Sequence, residues 1–154
     1  MDFYNFIKEY AENEGIERFV VGAIITNEKG EILITKRKVD DFMGGLYEIP
    51  GGNLEDNESI LDTLIRETKE ETNLELVEVV SYVNSFDYLS RSCKKCRQFN
   101  FKIIVKSLNN IILTEHDEYK WIKLNEVENI IEMSPEVKQS LLIYVFNEIQ
   151  NSKR

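Results

Sequence analysis

Residues 51–74, GGNLEDNESILDTLIRETKEETNL, decide how the rest of the chain is read. Apolar residues recurring every three or four positions predict a helix over 58–72. At about 100° per residue, Ile60, Leu61, Leu64, Ile65 and Thr68 fall on one face, which the pattern assigns to the core. Glu67, Glu70 and Glu71 then lie within an arc of roughly 100° along the edge of that face, and Lys69 points away. Like charges at this spacing cost ~0.2–0.5 kcal/mol, and negative charge near a helix C-terminus opposes the macrodipole by ~0.3–1 kcal/mol. A solvated acidic face is the plain reading. Against it, the three carboxylates border the core, and Arg66 is placed beside Glu70 rather than among all three. A divalent cation would turn their repulsion into ligation, and Mg2+, which takes oxygen ligands and is completed by substrate phosphates, suits such a patch.

The preceding Pro50-Gly51-Gly52 follows a predicted strand, and its glycines permit backbone angles that other residues resist. Such a turn can aim a carbonyl at a metal, although most such tripeptides are simply turns.

Upstream, DFYNFIKEYAENEG places Phe3, Phe6, Ile7 and Tyr10 at helical spacing and stops at Gly15, which predicts a short amphipathic helix used for packing. RFVVGAIITN and EILITKRK, separated by EKG, predict a hairpin. DDFMGGLYEIPGG reads as a glycine-rich loop with a short strand around 47–49. Downstream, LELVEVVSYVNSF and QFNFKIIVKSL predict two long strands, and YKWIKL a shorter one. LNEVENII and SPEVKQSLLIYVFNEIQ predict two closing helices, the second capped by Ser134 with Pro135 at its first position. The fold class is mixed β and α, with helices on both faces of a sheet.

The 154 residues suit one domain, 1–154, with a core that needs no disulfide. No stretch approaches the ~20 apolar residues of a membrane helix, and the N-terminus is interrupted by charges, so we expect a cytoplasmic protein with no membrane partner. A net charge of -9 argues against a nucleic-acid polymer as partner. It is compatible with a small-molecule nucleotide held through divalent metal. Cys93 and Cys96 are the only cysteines and His116 the only histidine, too few for a four-ligand zinc site. SCKKCR reads as a basic loop joining two strands, the alternatives being a disulfide or a metal shared across a dimer. Oligomeric state is left open, a homodimer included.

Taken together, these residues resemble the Nudix hydrolases, whose signature is G-x5-E-x7-R-E-U-x-E-E-x-G-U with U aliphatic. Gly52, Glu58, Arg66, Glu67, Glu70, Glu71 and Leu74 match at the required spacing. Thr68 replaces an aliphatic residue, and Asn73 replaces the final glycine, asparagine being the other residue that adopts the left-handed conformation at a helix end. The segment VVGAIITNEKGEILITKRKVDDFMGGLYEIPGG is similar to the MutT-like branch. The resemblance implies an α/β/α sandwich around a mixed sheet. It also implies hydrolysis of a nucleoside diphosphate linked to another moiety, with Mg2+ or Mn2+ as cofactor.

Carried over by position, the resemblance makes Glu67, Glu70 and Glu71 metal ligands, with the Gly51 carbonyl and an acid from a later loop, Glu115 before Glu118, as further ones. For either of those acids a solvated turn is an equal reading. Glu67 would be the general base, oriented by Arg66, with Glu70 beside them in the catalytic group. Gly52 and Glu58 would be supporting residues, and Arg37 and Glu48 would contact substrate. Lys36 and Arg37 alternate in a strand, so only one can enter the site. A surface arginine is the competing reading of Arg37. Phe42, Tyr47, Phe86 and Tyr88 are available to stack on a base or to join the core. The substrates expected are nucleoside triphosphates, oxidised ones included, cleaved to monophosphate and pyrophosphate. The alternatives are ADP-ribose, nucleotide sugars, dinucleoside polyphosphates, or a nucleotide-sensing module without turnover.

Overall fold

The computed structural model describes residues 2–153. Helix α1 spans Phe3–Asn13, β1 Arg18–Ile24, β2 Ile32–Arg37, β3 Tyr47–Glu48 and β4 Gly51–Asn53. There follow α2 (Ile60–Thr72), β5 (Leu76–Leu89), β6 (Lys95–Val105), β7 (His116–Ile122), a 3-10 helix over Leu124–Asn129, and α3 (Pro135–Ser152). One sheet has the order β4-β1-β6-β5, with β1 and β6 parallel; the other is β3-β2-β7, antiparallel throughout.

The hairpin predicted for β1 and β2 is corrected here. Its turn forms, with Thr26 bridged to Ile32 and the Leu33 N–H donating to the Ile25 carbonyl at 2.9 Å. Beyond the turn the strands diverge into different sheets. Val20–Ile24 and Ile32–Thr35 are buried at every position rather than at alternate ones. Such runs make central strands, each needing a partner on both sides, which one hairpin does not supply. Alternate side chains feed two cores. Val21, Ala23, Ile25 and Leu33 join Ile60 and Leu64 of α2, while Ile24, Ile32 and Ile34 join Val137, Leu141 and Tyr144 of α3. Helices thus cover both faces, and the fold class is the expected α/β/α sandwich.

Three elements differ from their sequence patterns. In α1 it is Tyr4, Ile7 and Ala11 that pack inward, one residue round from Phe3, Phe6 and Tyr10, which are exposed. LNEVENII forms a 3-10 turn, not an α-helix. In α2 the buried stripe is rotated: Ile60, Thr63, Leu64, Thr68, Glu71 and Thr72 face inward, Leu61 is half-buried, and Ile65 is 45% exposed. The rotation carries Glu71 from the edge of the face into it. Ser59 caps the N-terminus by accepting from the Asp62 N–H at 3.0 Å, and Asn73 closes the helix at φ 65° in the left-handed region.

Candidate active site

An open cleft of ≈ 980 Å³ runs between α2 and the sheet strands. β4 and α2 provide one end, with Gly51, Gly52, Glu67 and Glu71. Arg37 and Glu48, from paired strands β2 and β3, and Glu115, just before β7, stand beside them. The far wall carries Phe86 and Tyr88 of β5 with Cys96 and Gln98 of β6.

The glycines of β4 are required by close approach. Neither has positive φ. A Cβ on Gly51 would overlap the Val21 carbonyl, and one on Gly52 would overlap the Glu67 carboxyl group. The expected turn is therefore a strand, pressed between β1 and α2.

Arg66 is the organising cation, and its place differs from the one read in the sequence. Its Nε and Nη2 donate to Glu58 at 2.7 and 2.8 Å, its Nη1 to Glu67 at 2.7 Å and Glu70 at 3.0 Å, and its Nη2 also to the Asn53 carbonyl at 2.9 Å. Glu58 also accepts from the Thr63 hydroxyl, and the Arg66 guanidinium first of all holds its pKa down at about 2. Glu67 is fastened from one side by Arg66, while burial raises its pKa.

Glu71 is 5% exposed and accepts one hydrogen bond, from the Gly51 N–H at 3.0 Å. Burial, and then the negative charges of Glu48, Glu67 and Glu115, push its pKa up to about 9. Its charged form is disfavoured in this setting, so the carboxyl carries a proton unless a cation stands against it. Arg66 is not bonded to it. The donor set, all oxygen, suits a hard divalent ion.

The remaining expected residues separate. Glu115 lines the cleft, whereas Glu118 accepts from the Tyr47 hydroxyl. Glu70 has an exposed side chain held by Arg66 and does not line the cleft. Among the described residues no group of three His, Cys, Asp or Glu side chains is gathered around one point. Arg37 reaches into the cleft, paired with Glu48 at 2.8 Å and Asp41 at 3.2 Å, while Lys36 pairs with Glu132 on the other side. Glu48 also meets His116 Nε2 at 2.7 Å, so the lone histidine is a buried partner of a cleft acid. Phe42, Tyr47, Phe86 and Tyr88 all line the cleft.

Sequence reasoning missed one wall. The basic loop expected over SCKKCR does join two strands but is shorter than read: Lys95, Cys96 and Arg97 already pair with β5 and belong to β6, and Cys93 and Cys96 are both free. Yet Ser90, Arg91 and Ser92 line the cleft, with the Arg91 guanidinium 5.7 Å from the Phe42 ring centre. Gln98 was passed over as well. Its two-residue spacing from Cys96 was the available signal, but the β-sheet face it occupies is legible only once pairing is known.

A NUDIX domain family model matches residues 17–142 of the chain. The 8-oxo-dGTP diphosphatase of Buchnera aphidicola is 31% identical over 109 residues, covering 71% of this chain and 78% of that protein. A 34% match to the enzyme of that name from Proteus vulgaris is confined to 59 residues, 38% of this chain and 53% of that protein. An RNA pyrophosphohydrolase of Campylobacter jejuni is 28% identical, covering 87% and 93% of the two chains. The crystal structure of a MutT protein from Methanosarcina mazei superposes with a TM-score of 0.75 at 25% identity, covering 86% of this chain and 95% of that one.

Proposed function

Because the chain belongs to the Nudix hydrolase family, we propose that this pyrophosphohydrolase cleaves nucleoside triphosphates, oxidised ones included, to monophosphate and pyrophosphate with Mg2+ or Mn2+. Family members act on nucleotides and generally use divalent metal. The observation that carries the metal reading is Glu71, a buried carboxyl lining the cleft that feels the negative charges of Glu48, Glu67 and Glu115. Glu71, Glu67, Glu115 and the Gly51 carbonyl would hold the ion, with Glu70 able to join only by leaving Arg66. When bound, the cation would neutralise phosphate charge and acidify a water.

The chain's own residues have the following roles in this reading. Glu67 receives the proton of the attacking water, and Arg66 fixes its carboxylate through Oε1. Glu58 anchors Arg66 from the turn just before α2. Arg37 offers a planar fork to two phosphate oxygens, releasing Asp41, the more exposed of its two partners. Phe42 and Arg91 line the cleft together as an aromatic and a cationic group.

The test is a substrate panel assayed with Mg2+ and with Mn2+, followed by product identification. It contains the common and 8-oxo nucleoside triphosphates, ADP-ribose, a nucleotide sugar, a dinucleoside polyphosphate and 5'-triphosphorylated RNA. The expected result is highest kcat/KM on a nucleoside triphosphate with release of pyrophosphate. Preference for any other class overturns the substrate assignment, and full activity in excess EDTA overturns the metal.

A further inference from the structure

A chain of hydrogen bonds runs from the first turns of α3 to the cleft wall. The Ser140 hydroxyl donates its one proton to the Glu136 carbonyl at 2.9 Å. Its oxygen can therefore only accept, which it does from Asn84 Nδ2 at 3.0 Å and Asn100 Nδ2 at 3.2 Å. Asn100 Nδ2 also donates to Asn84 Oδ1 at 3.1 Å. With both its protons committed, Asn100 has only Oδ1 to turn toward Gln98. Gln98 must answer with a donor, and its Nε2 lies 2.8 Å away. Asn100 and Ser140 are fully buried, so no water replaces a lost partner. Flipping the Gln98 amide would set two acceptor oxygens against each other. The amide is locked in one orientation. Gly22 keeps the space for this crossing, since a Cβ there would overlap both Asn100 Oδ1 and Gln98 Nε2.

Gln98 lines the cleft, and its Oε1 has no hydrogen-bond partner among the described residues. Opposite it on β5 is Phe86, an aromatic residue that packs against the α3-side core and also lines the cleft. A ring stacked on Phe86 would present its edge to a carboxamide whose acceptor and remaining donor cannot exchange places. Exchange is what distinguishes the bases. A 6-oxo purine carries a ring N–H beside a carbonyl, and a 6-amino purine carries a ring acceptor beside an N–H; a freely rotating amide would suit both.

We infer that Gln98 is the specificity-determining residue for the base, discriminating oxo from amino bases, and that Asn84, Asn100 and Ser140 are positioning residues that hold its amide. The inference rests on the nucleotide reading proposed above. Its test uses the product class without metal: equilibrium binding of GMP, AMP, UMP and CMP to the full chain, followed by calorimetry. The wild type should separate GMP from AMP by about tenfold, the worth of one good bidentate contact. Gln98→Leu should reduce that ratio to within about twofold, with an unchanged circular-dichroism spectrum. Ser140→Ala, which removes the acceptor that orients both asparagines, should narrow the ratio through the relay, an effect that loosened packing alone would not produce. If Gln98→Leu fails to fold, the Ser140→Ala ratio decides. No measurable binding, wild-type ratios within twofold, or a ratio unmoved in a folded variant overturns the inference. Absence of triphosphate hydrolysis is a separate result and sinks the substrate reading instead.

Discussion

The Glu67 carboxyl group packs directly over the α-carbon of Gly52, in space that any side chain at that position would occupy. The glycine is present for contact rather than for backbone freedom. Gly52→Ala should displace Glu67 from both Arg66 and the cleft, and lower kcat by about 10²-fold, the scale of losing a well-placed catalytic group. Steady-state kinetics beside thermal melting will check it; a variant with wild-type kcat would detach Glu67 from the chemistry.

Glu71→Gln removes the charge and keeps the shape, so the Gly51 N–H still finds an oxygen. We expect a folded protein whose activity falls by at least about 10²-fold, matched in the wild type by EDTA and reversed there by added Mg2+ or Mn2+. Circular dichroism and a metal-replacement assay test the two halves. Near-normal turnover would return Glu71 to a purely structural role.

Glu58 supplies a stability prediction with a defined pH window. Its folded pKa is about 2, below the 4.5 of the unpaired group, because the Arg66 hydrogen bonds favour the carboxylate. A depressed carboxylate contributes stability that is present above its unfolded pKa and lost as pH falls toward the folded one. Glu58→Gln should thus destabilise the protein at pH 7 by about 1.5–3 kcal/mol, the range for a hydrogen bond to a charged group. The gap from wild type should shrink as pH drops from 4.5 toward 2. Urea denaturation of both proteins at several pH values measures it; a gap independent of pH would assign the loss to packing.

Arg37 lies in the cleft with Glu48 and Asp41 as its partners. Arg37→Ala should raise KM for a nucleoside triphosphate about tenfold or more with a smaller change in kcat, since phosphate grip is binding common to ground and transition states. Arg37→Lys should recover little, a point charge being unable to bridge two oxygens. A KM equal to wild type for Arg37→Ala would confine the residue to holding Glu48.

Much of this molecule was legible from residues 51–74. Spacing alone put Glu67, Glu70 and Glu71 on one side of a helix, because 3.6 residues per turn is a property of the backbone and needs no neighbour. The asparagine stop at Asn73, the Ser134 cap and the opposite facing of Lys36 and Arg37 were legible for the same local reason. Tertiary packing decided the rest. Which way α2 rolls depends on the sheet beneath it, so only the fold could bury Glu71, expose Ile65 and turn Glu70 outward to Arg66. Strand pairing likewise separated β1 from β2 and set Gln98 beside the cleft, where Asn100 ties it to a helix residue as distant in sequence as Ser140. Local periodicity specifies which side chains share a face; what that face meets is a long-range contact, and one-dimensional spacing does not encode it.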